Sequence, residues 1–184
     1  MAIRVVTFDL DNTLWDVDQV IRRAEAQLRA WLADRVPEYE DFDRDSMMAI
    51  RKELIAESAS IAHDLSALRT QVMFEVIKRC GYDEPAARRY ATDAFEVFIH
   101  ARHDVEYFAD ALEVLRQLSK RYQLGALTNG NADFQRLGLD KYFSFGFSSA
   151  DVGASKPDPA MFQATLAHTQ SEPQHVVHIG DHPV

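Results

Sequence analysis

Two aspartates, Asp9 and Asp11, stand two residues apart directly behind the apolar run Ile3-Arg4-Val5-Val6-Thr7-Phe8. Carboxylates this close repel, and each raises the pKa of the other unless a cation lies nearby. Mg²⁺ suits such a pair, because it takes hard oxygen ligands and retains some of its waters. Once neutralised by a metal, one carboxylate can attack phosphorus and form an aspartyl phosphate. The other can protonate the leaving alkoxide and later take a proton from water. Thr13 and Thr128 offer hydroxyls to phosphate oxygens, Lys156 supplies a point charge, and Asp181 would complete the metal site. Positioning and charge stabilisation are most of what phosphoryl transfer demands.

These residues lie far apart in the chain, so the elements between them must bring them together. Residues 3–8 are β-branched and apolar, which predicts a buried strand. From about 17 to 103 apolar residues recur at helical spacing; Val20, Ala24, Leu28, Trp31 and Leu32 form one stripe. Pro37 and Gly81-Tyr82-Asp83-Glu84-Pro85 are breaks, giving helices near 17–35, 43–58, 63–80 and 85–102. An αβ alternation follows, with helices over 109–120, 133–137 and 158–168 and strands over 122–127, 145–148 and 175–179. Strands separated by helices imply parallel βαβ units with right-handed crossovers. The expected fold is α/β, a Rossmann-like parallel sheet of residues 1–15 and 104–184 with an inserted helical cap, 16–103. In an open parallel sheet, ligands gather at the carboxyl ends of the strands. Asp9/Asp11, Thr128/Asn129, Lys156 and Asp181 all follow predicted strands or sit in neighbouring loops, so they should converge.

Composition narrows the partners. The 184 residues are 47% hydrophobic and 27% charged, as in a globular chain with a real core. Twenty Lys and Arg against 29 Asp and Glu give a formal net charge of −9, which disfavours a nucleic-acid binder. The single cysteine, Cys80, excludes an intrachain disulfide and sits in an apolar helical run, where packing is its expected role. No apolar run approaches the roughly 20 residues that span a membrane. Residues 3–10, broken by Arg4 and Asp9, do not form a signal peptide. The expectation is a cytoplasmic protein acting on a small phosphorylated molecule.

Phe8-Asp9-Leu10-Asp11-Asn12-Thr13-Leu14 resembles the first motif of the haloacid dehalogenase superfamily in the form its phosphatases carry. Thr128-Asn129-Gly130, Ser155-Lys156-Pro157-Asp158-Pro159 and Ile179-Gly180-Asp181 resemble the second, third and the start of the fourth, in order. The resemblance spans the chain. It implies Asp9 as nucleophile and Asp11 as general acid/base, with the Asp11 main-chain carbonyl also touching Mg²⁺. It implies Thr128 and Lys156 as the phosphate-binding pair, with Thr13 and Asn129 beside them. Asp9 and Asp181 resemble the side-chain metal ligands, and the insertion resembles the type 1 cap that selects substrates. Dehalogenases of the superfamily lack an acid at the position of Asp11, because a halide leaves without a proton. The sequence therefore favours phosphate esters; flavin mononucleotide, a riboflavin-pathway phosphate and a sugar phosphate fit the subfamily resemblance. The family carries a second acid a few residues later in the fourth motif, and here His182-Pro183-Val184 ends the sequence first, as in a truncated chain.

Weaker candidates lie outside these motifs. His63, Asp64 and Arg69 are spaced to share a helical region and resemble a substrate-contacting cap segment; a solvated face or local ion pair explains them as well. Arg102 could face the site near the return to the core. Trp15 could stack on a flat substrate or pack at the cap hinge. His175 and His178 flank an apolar strand and read as structural. A phosphomutase of the same fold, or a non-catalytic phosphate-binding protein, remain the alternatives to a phosphatase.

Overall fold

The computed structural model describes residues 2–182; Met1, Pro183 and Val184 lie outside them. Its elements, in chain order, begin with β1 (Val5–Phe8), α1 (Val17–Arg35), α2 (Arg44–Glu57), α3 (Leu65–Arg79) and α4 (Glu84–Arg102). They continue with α5 (Ala111–Leu118), β2 (Gln123–Thr128), β3 (Phe143–Ser148), α6 (Ser149–Val152), α7 (Ala160–Thr169) and β4 (Val176–Ile179). The chain divides into two units, one of residues 1–18 and 105–184 and one of 19–104. The sequence expectation drew its boundaries at 15/16 and 103/104.

The first unit holds a parallel sheet in the order β3-β2-β1-β4. β1 and β2 lie inside it and are buried almost throughout, which is why they read as unbroken apolar runs. β4 lies at the edge and alternates, with Val177 and Ile179 exposed and Val176 and His178 turned inward. The sheet runs past its formal ends: Asp9 N–H donates to Ile179 O at 2.8 Å. That bond brings the first aspartate alongside the end of β4. Gly125 admits the Phe145 ring, since a Cβ there would stand 2.2 Å from a ring carbon.

The expected helix over 133–137 does not form. Asp133 accepts the amides of Gln135 and Arg136 through its side chain, and Gly138 at φ 66° reverses the backbone. A segment of one turn gains too few hydrogen bonds to offset helix nucleation.

The second unit is four helices around one apolar core. α1 contributes Ala24, Leu28 and Leu32, α2 Ile50, α3 Met73, Val76 and Ile77, and α4 Ala91, Ala94 and Phe98. Three helices start at aspartates, each accepting an amide three residues on: Asp43 from Ser46, Asp64 from Ala67 and Asp83 from Ala86. Each such cap satisfies an amide that the start of a helix leaves without an intrahelical partner. Cys80 is half-buried, and burial pushes its thiol pKa upward, as a packing role implies. Among the described residues no helix is long and apolar enough to cross a membrane.

Candidate active site

Asp9 leaves β1 at the carboxyl edge of the sheet. Its Oδ1 accepts the Leu10 amide at 2.8 Å, and its Oδ2 lies 3.0 Å from Lys156 Nζ. The ammonium also donates to Leu127 O at 2.6 Å, which ties the loop after α6 to β2. Both charged side chains are mostly buried, at 9% exposure for Lys156 and 18% for Asp9. The ion pair therefore works in a medium that screens it less than water.

After Asp9 the chain folds back on itself. Asn12 adopts φ 58°, in the left-handed region that Asn tolerates better than most residues. Its amide donates to Trp15 O at 2.8 Å, and its side-chain Oδ1 accepts the Val17 amide at 3.1 Å. Leu14 N–H reaches back to Leu10 O at 2.8 Å. This turn delivers Asp11 to the cavity and Trp15 to the interior, where the indole Nε1–H donates to Asp11 Oδ1 at 2.9 Å.

One cavity of about 390 Å³ is lined by Asp9, Asp11, Asn12, Asn129, Lys156 and Asp181, together with Pro157, Phe162, His178, Gly180 and His182. Four segments distant in sequence thus meet at one edge of the sheet. Gly180 permits the closest approach, since a Cβ there would stand 3.3 Å from the Asp9 Cβ. Among the described residues, no three His, Cys, Asp or Glu side chains form a metal-binding group. Asp9 and Asp181 supply two carboxylates to the cavity, while one oxygen of Asp11 is occupied by Trp15. Carboxylate oxygens are the hard donors that Mg²⁺ takes, and Mg²⁺ keeps several waters rather than being caged by protein alone, so the residues present suit that ion.

Several expectations change. Asn129, expected beside the phosphate, lines the cavity and also clamps the lysine backbone: Nδ2 donates to Lys156 O at 2.9 Å and Oδ1 accepts Lys156 N–H at 2.6 Å. Thr128 is buried and absent from the cavity lining; its hydroxyl accepts the Gly130 amide at 2.9 Å, which leaves its proton to donate. Thr13 is also absent from the lining, because the turn places its Oγ1 inside, without a hydrogen-bond partner among the described residues. Trp15 has no exposed face for a flat substrate. It is fully buried, edge-on to Tyr107 with ring centroids 5.9 Å apart.

Within the helical unit, Asp64 is spent on capping α3, and His63 closes the short 3₁₀ turn before it. Arg69 pairs with Glu25 at 2.6 Å and lies over the Phe98 ring, 3.7 Å from its centroid. Arg102 is buried.

His178, expected as a structural residue, and Phe162, which no motif singled out, both line the cavity. Their rings meet edge-on at 5.3 Å on the cavity wall, and His178 Nδ1 lies 3.0 Å from Thr7 Oγ1. Burial, and then the Lys156 charge, push the His178 pKa below its ordinary value of 6.5, so its neutral form prevails. The period-two alternation of β4 was the available signal, since it sets His178 and Gly180 on one face.

A family model described as a haloacid dehalogenase-like hydrolase matches residues 3–184. The 5-amino-6-(5-phospho-D-ribitylamino)uracil phosphatase YigB of Escherichia coli is 28% identical, over 97% of this chain and 75% of its own length. The phosphoserine phosphatase of Thermus thermophilus is 31% identical, over 62% of this chain and 47% of its own. Among solved structures, a 2-haloacid dehalogenase from Pseudomonas syringae pv. tomato is 44% identical, with a TM-score of 0.96, over 98% of this chain and 79% of its own. A family model matching nearly the whole chain, with an aspartate-lined cavity at the carboxyl edge of a parallel sheet, shows that the chain belongs to the haloacid dehalogenase-like hydrolases.

Proposed function

We propose that this protein is a Mg²⁺-dependent phosphatase that hydrolyses a small phosphomonoester through an aspartyl phosphate on Asp9. The observation that carries the reading is the second carboxylate: Asp11 lines the same cavity as Asp9 and is held there by a hydrogen bond. A leaving alkoxide needs a proton and a halide does not.

Asp9 attacks phosphorus and the bond to the ester oxygen breaks, while Asp11 passes its proton to the departing alkoxide. Asp11 then takes a proton from the water that attacks the phosphorylated Asp9, which releases phosphate and restores the Asp9 carboxylate and the protonated Asp11. Lys156 offsets the charge of the carboxylate and the incoming phosphate. Phe162 and neutral His178 give that wall little competing charge. Asp9, Asp181 and the Asp11 carbonyl would hold Mg²⁺, which when bound supplies charge neutralisation of the phosphoryl oxygens. The helical unit serves as the cap that selects among substrates. The names of the relatives, which are phosphatases of a ribityl phosphate and of phosphoserine, support a phosphorylated metabolite as partner. Flavin mononucleotide, a riboflavin-pathway phosphate and a sugar phosphate are the first to test. The acidic charge supports a small ligand over nucleic acid, and a cytoplasmic setting fits such substrates.

Haloacid hydrolysis is the second reading, favoured by the name of the 44% identical structure. The two separate in one experiment. Purified protein is given p-nitrophenyl phosphate, a panel of phosphorylated metabolites and 2-chloropropionate, with Mg²⁺ or after chelation, beside Asp9→Asn. The phosphatase reading expects Mg²⁺-dependent phosphate release, lost in Asp9→Asn, and no chloride. Chloride release without phosphate release overturns it.

A further inference from the structure

We infer that Trp15 is a positioning residue for the general acid: its indole N–H holds the Asp11 carboxylate in the orientation from which it delivers a proton to the leaving group. The inference rests on the phosphatase reading and deepens it.

Three observations carry it. The contact is direct, with Trp15 Nε1 donating to Asp11 Oδ1 at 2.9 Å. The donor is immobile: Trp15 is fully buried, and its ring is set against Tyr107 at 77°. Tyr107 is itself fixed by a hydrogen bond from its hydroxyl to Leu137 O at 3.2 Å. Finally, the backbone is fastened around the pair. Asp11 and Trp15 form a β-bridge, Trp15 forms a second with Tyr107, and Asn12 N–H closes onto Trp15 O. An aspartate lining a cavity has two side-chain torsions to settle, and a hydrogen bond from a buried donor restricts both. Among apolar-bodied residues only Trp carries an N–H at that reach, so Phe or Leu would fill the space and lose the hold.

The step affected is proton donation as the P–O bond breaks. The assay therefore compares kcat/KM, which reports events up to departure of the alcohol, for two esters. One is p-nitrophenyl phosphate, whose leaving group departs as a stable anion. The other is an alkyl phosphate such as glycerol 3-phosphate or ribose 5-phosphate, chosen as whichever the wild type turns over faster. In Trp15→Phe, kcat/KM on the alkyl ester is expected to fall about 10- to 50-fold, and on the nitrophenyl ester by less than about 3-fold. In an Asp11→Asn background, where no acid remains to be aimed, adding Trp15→Phe should leave the ratio of the two esters unchanged.

A merely structural tryptophan would depress both esters alike, and that result in an active protein overturns the inference while leaving the phosphatase reading standing. A wild type inert on both esters overturns the phosphatase reading and the inference together. Should Trp15→Phe fail to fold, solvent exchange of the Trp15 indole proton, followed by NMR in wild type and Asp11→Ala, decides the matter. Faster exchange in Asp11→Ala supports the contact, and unchanged exchange overturns it.

Discussion

Lys156→Met removes the cation in contact with Asp9 among the described residues while keeping much of the side-chain length. Its Nζ stands 3.0 Å from Asp9 Oδ2, with 9% and 18% of the two side chains exposed. Two unit charges about 3 Å apart at an effective dielectric of 20 attract by roughly 5 kcal/mol. Partial exposure of Asp9 lets solvent and bound Mg²⁺ replace part of that, so about 2–3 kcal/mol is taken as the share felt when a phosphoryl group enters. That corresponds to a loss of about 30- to 150-fold in kcat/KM. The same change strips Leu127 O of its donor, held now at 2.6 Å. A lost bond from a charged donor costs about 1.5–3 kcal/mol, a fall in Tm of roughly 3–10 °C for a chain of this size. The assay is phosphate release from p-nitrophenyl phosphate under saturating Mg²⁺, run well below the variant's Tm, with melting followed by circular dichroism. A folded Lys156→Met that keeps more than a third of wild-type kcat/KM would refute the placement of this lysine at the reacting centre.

Two further predictions concern the fold itself. Gly125→Ala sets a methyl carbon about where the Phe145 ring now lies, 2.2 Å from its nearest atom, and overpacking of this kind costs about 1–3 kcal/mol. Its Tm should fall by several degrees, and Phe145→Leu in the same chain should recover part of the loss; an unchanged Tm would contradict the packing of β2 on β3. In the helical unit, burial and then the Glu25 charge raise the Tyr39 phenol from 10.0 to about 12. The neutral form is the one that fits, so this stabilisation is whole below pH 10 and is lost as pH rises through the folded value. Two pKa units correspond to about 2–3 kcal/mol. Urea unfolding at pH 9 and pH 11 should show about half of that decline in wild type, since pH 11 lies midway between the unfolded and folded values, and little of it in Tyr39→Phe.

Much of the architecture was legible in one dimension. Four helices between residues 17 and 102 announced themselves by an apolar spacing that only a helix places on one face, and their observed ends lie within two residues of the expected ones. β1 and β2 were legible as unbroken apolar runs because strands inside a parallel sheet are buried on both faces. The turn at 133–138 was misread because Phe134, Leu137 and neighbouring polar residues imitate a helical period too short to nucleate one. Asp9, Asp11, Lys156 and Asp181 were expected to converge from their types and order, since strand ends of one parallel sheet share an edge, and they line one cavity.

What the sequence determined alone was therefore the set of elements and the chemistry available at their ends, because periodicity and residue type are local properties of a chain. Only the tertiary structure decided the division of labour among neighbours. Asn129 became a clamp on the Lys156 backbone, Thr13 was turned inside, Trp15 became a donor to Asp11, and His178 became a wall of the cavity. Those roles depend on which way a side chain leaves a turn and what stands within about 3 Å of it, and neither is written in spacing.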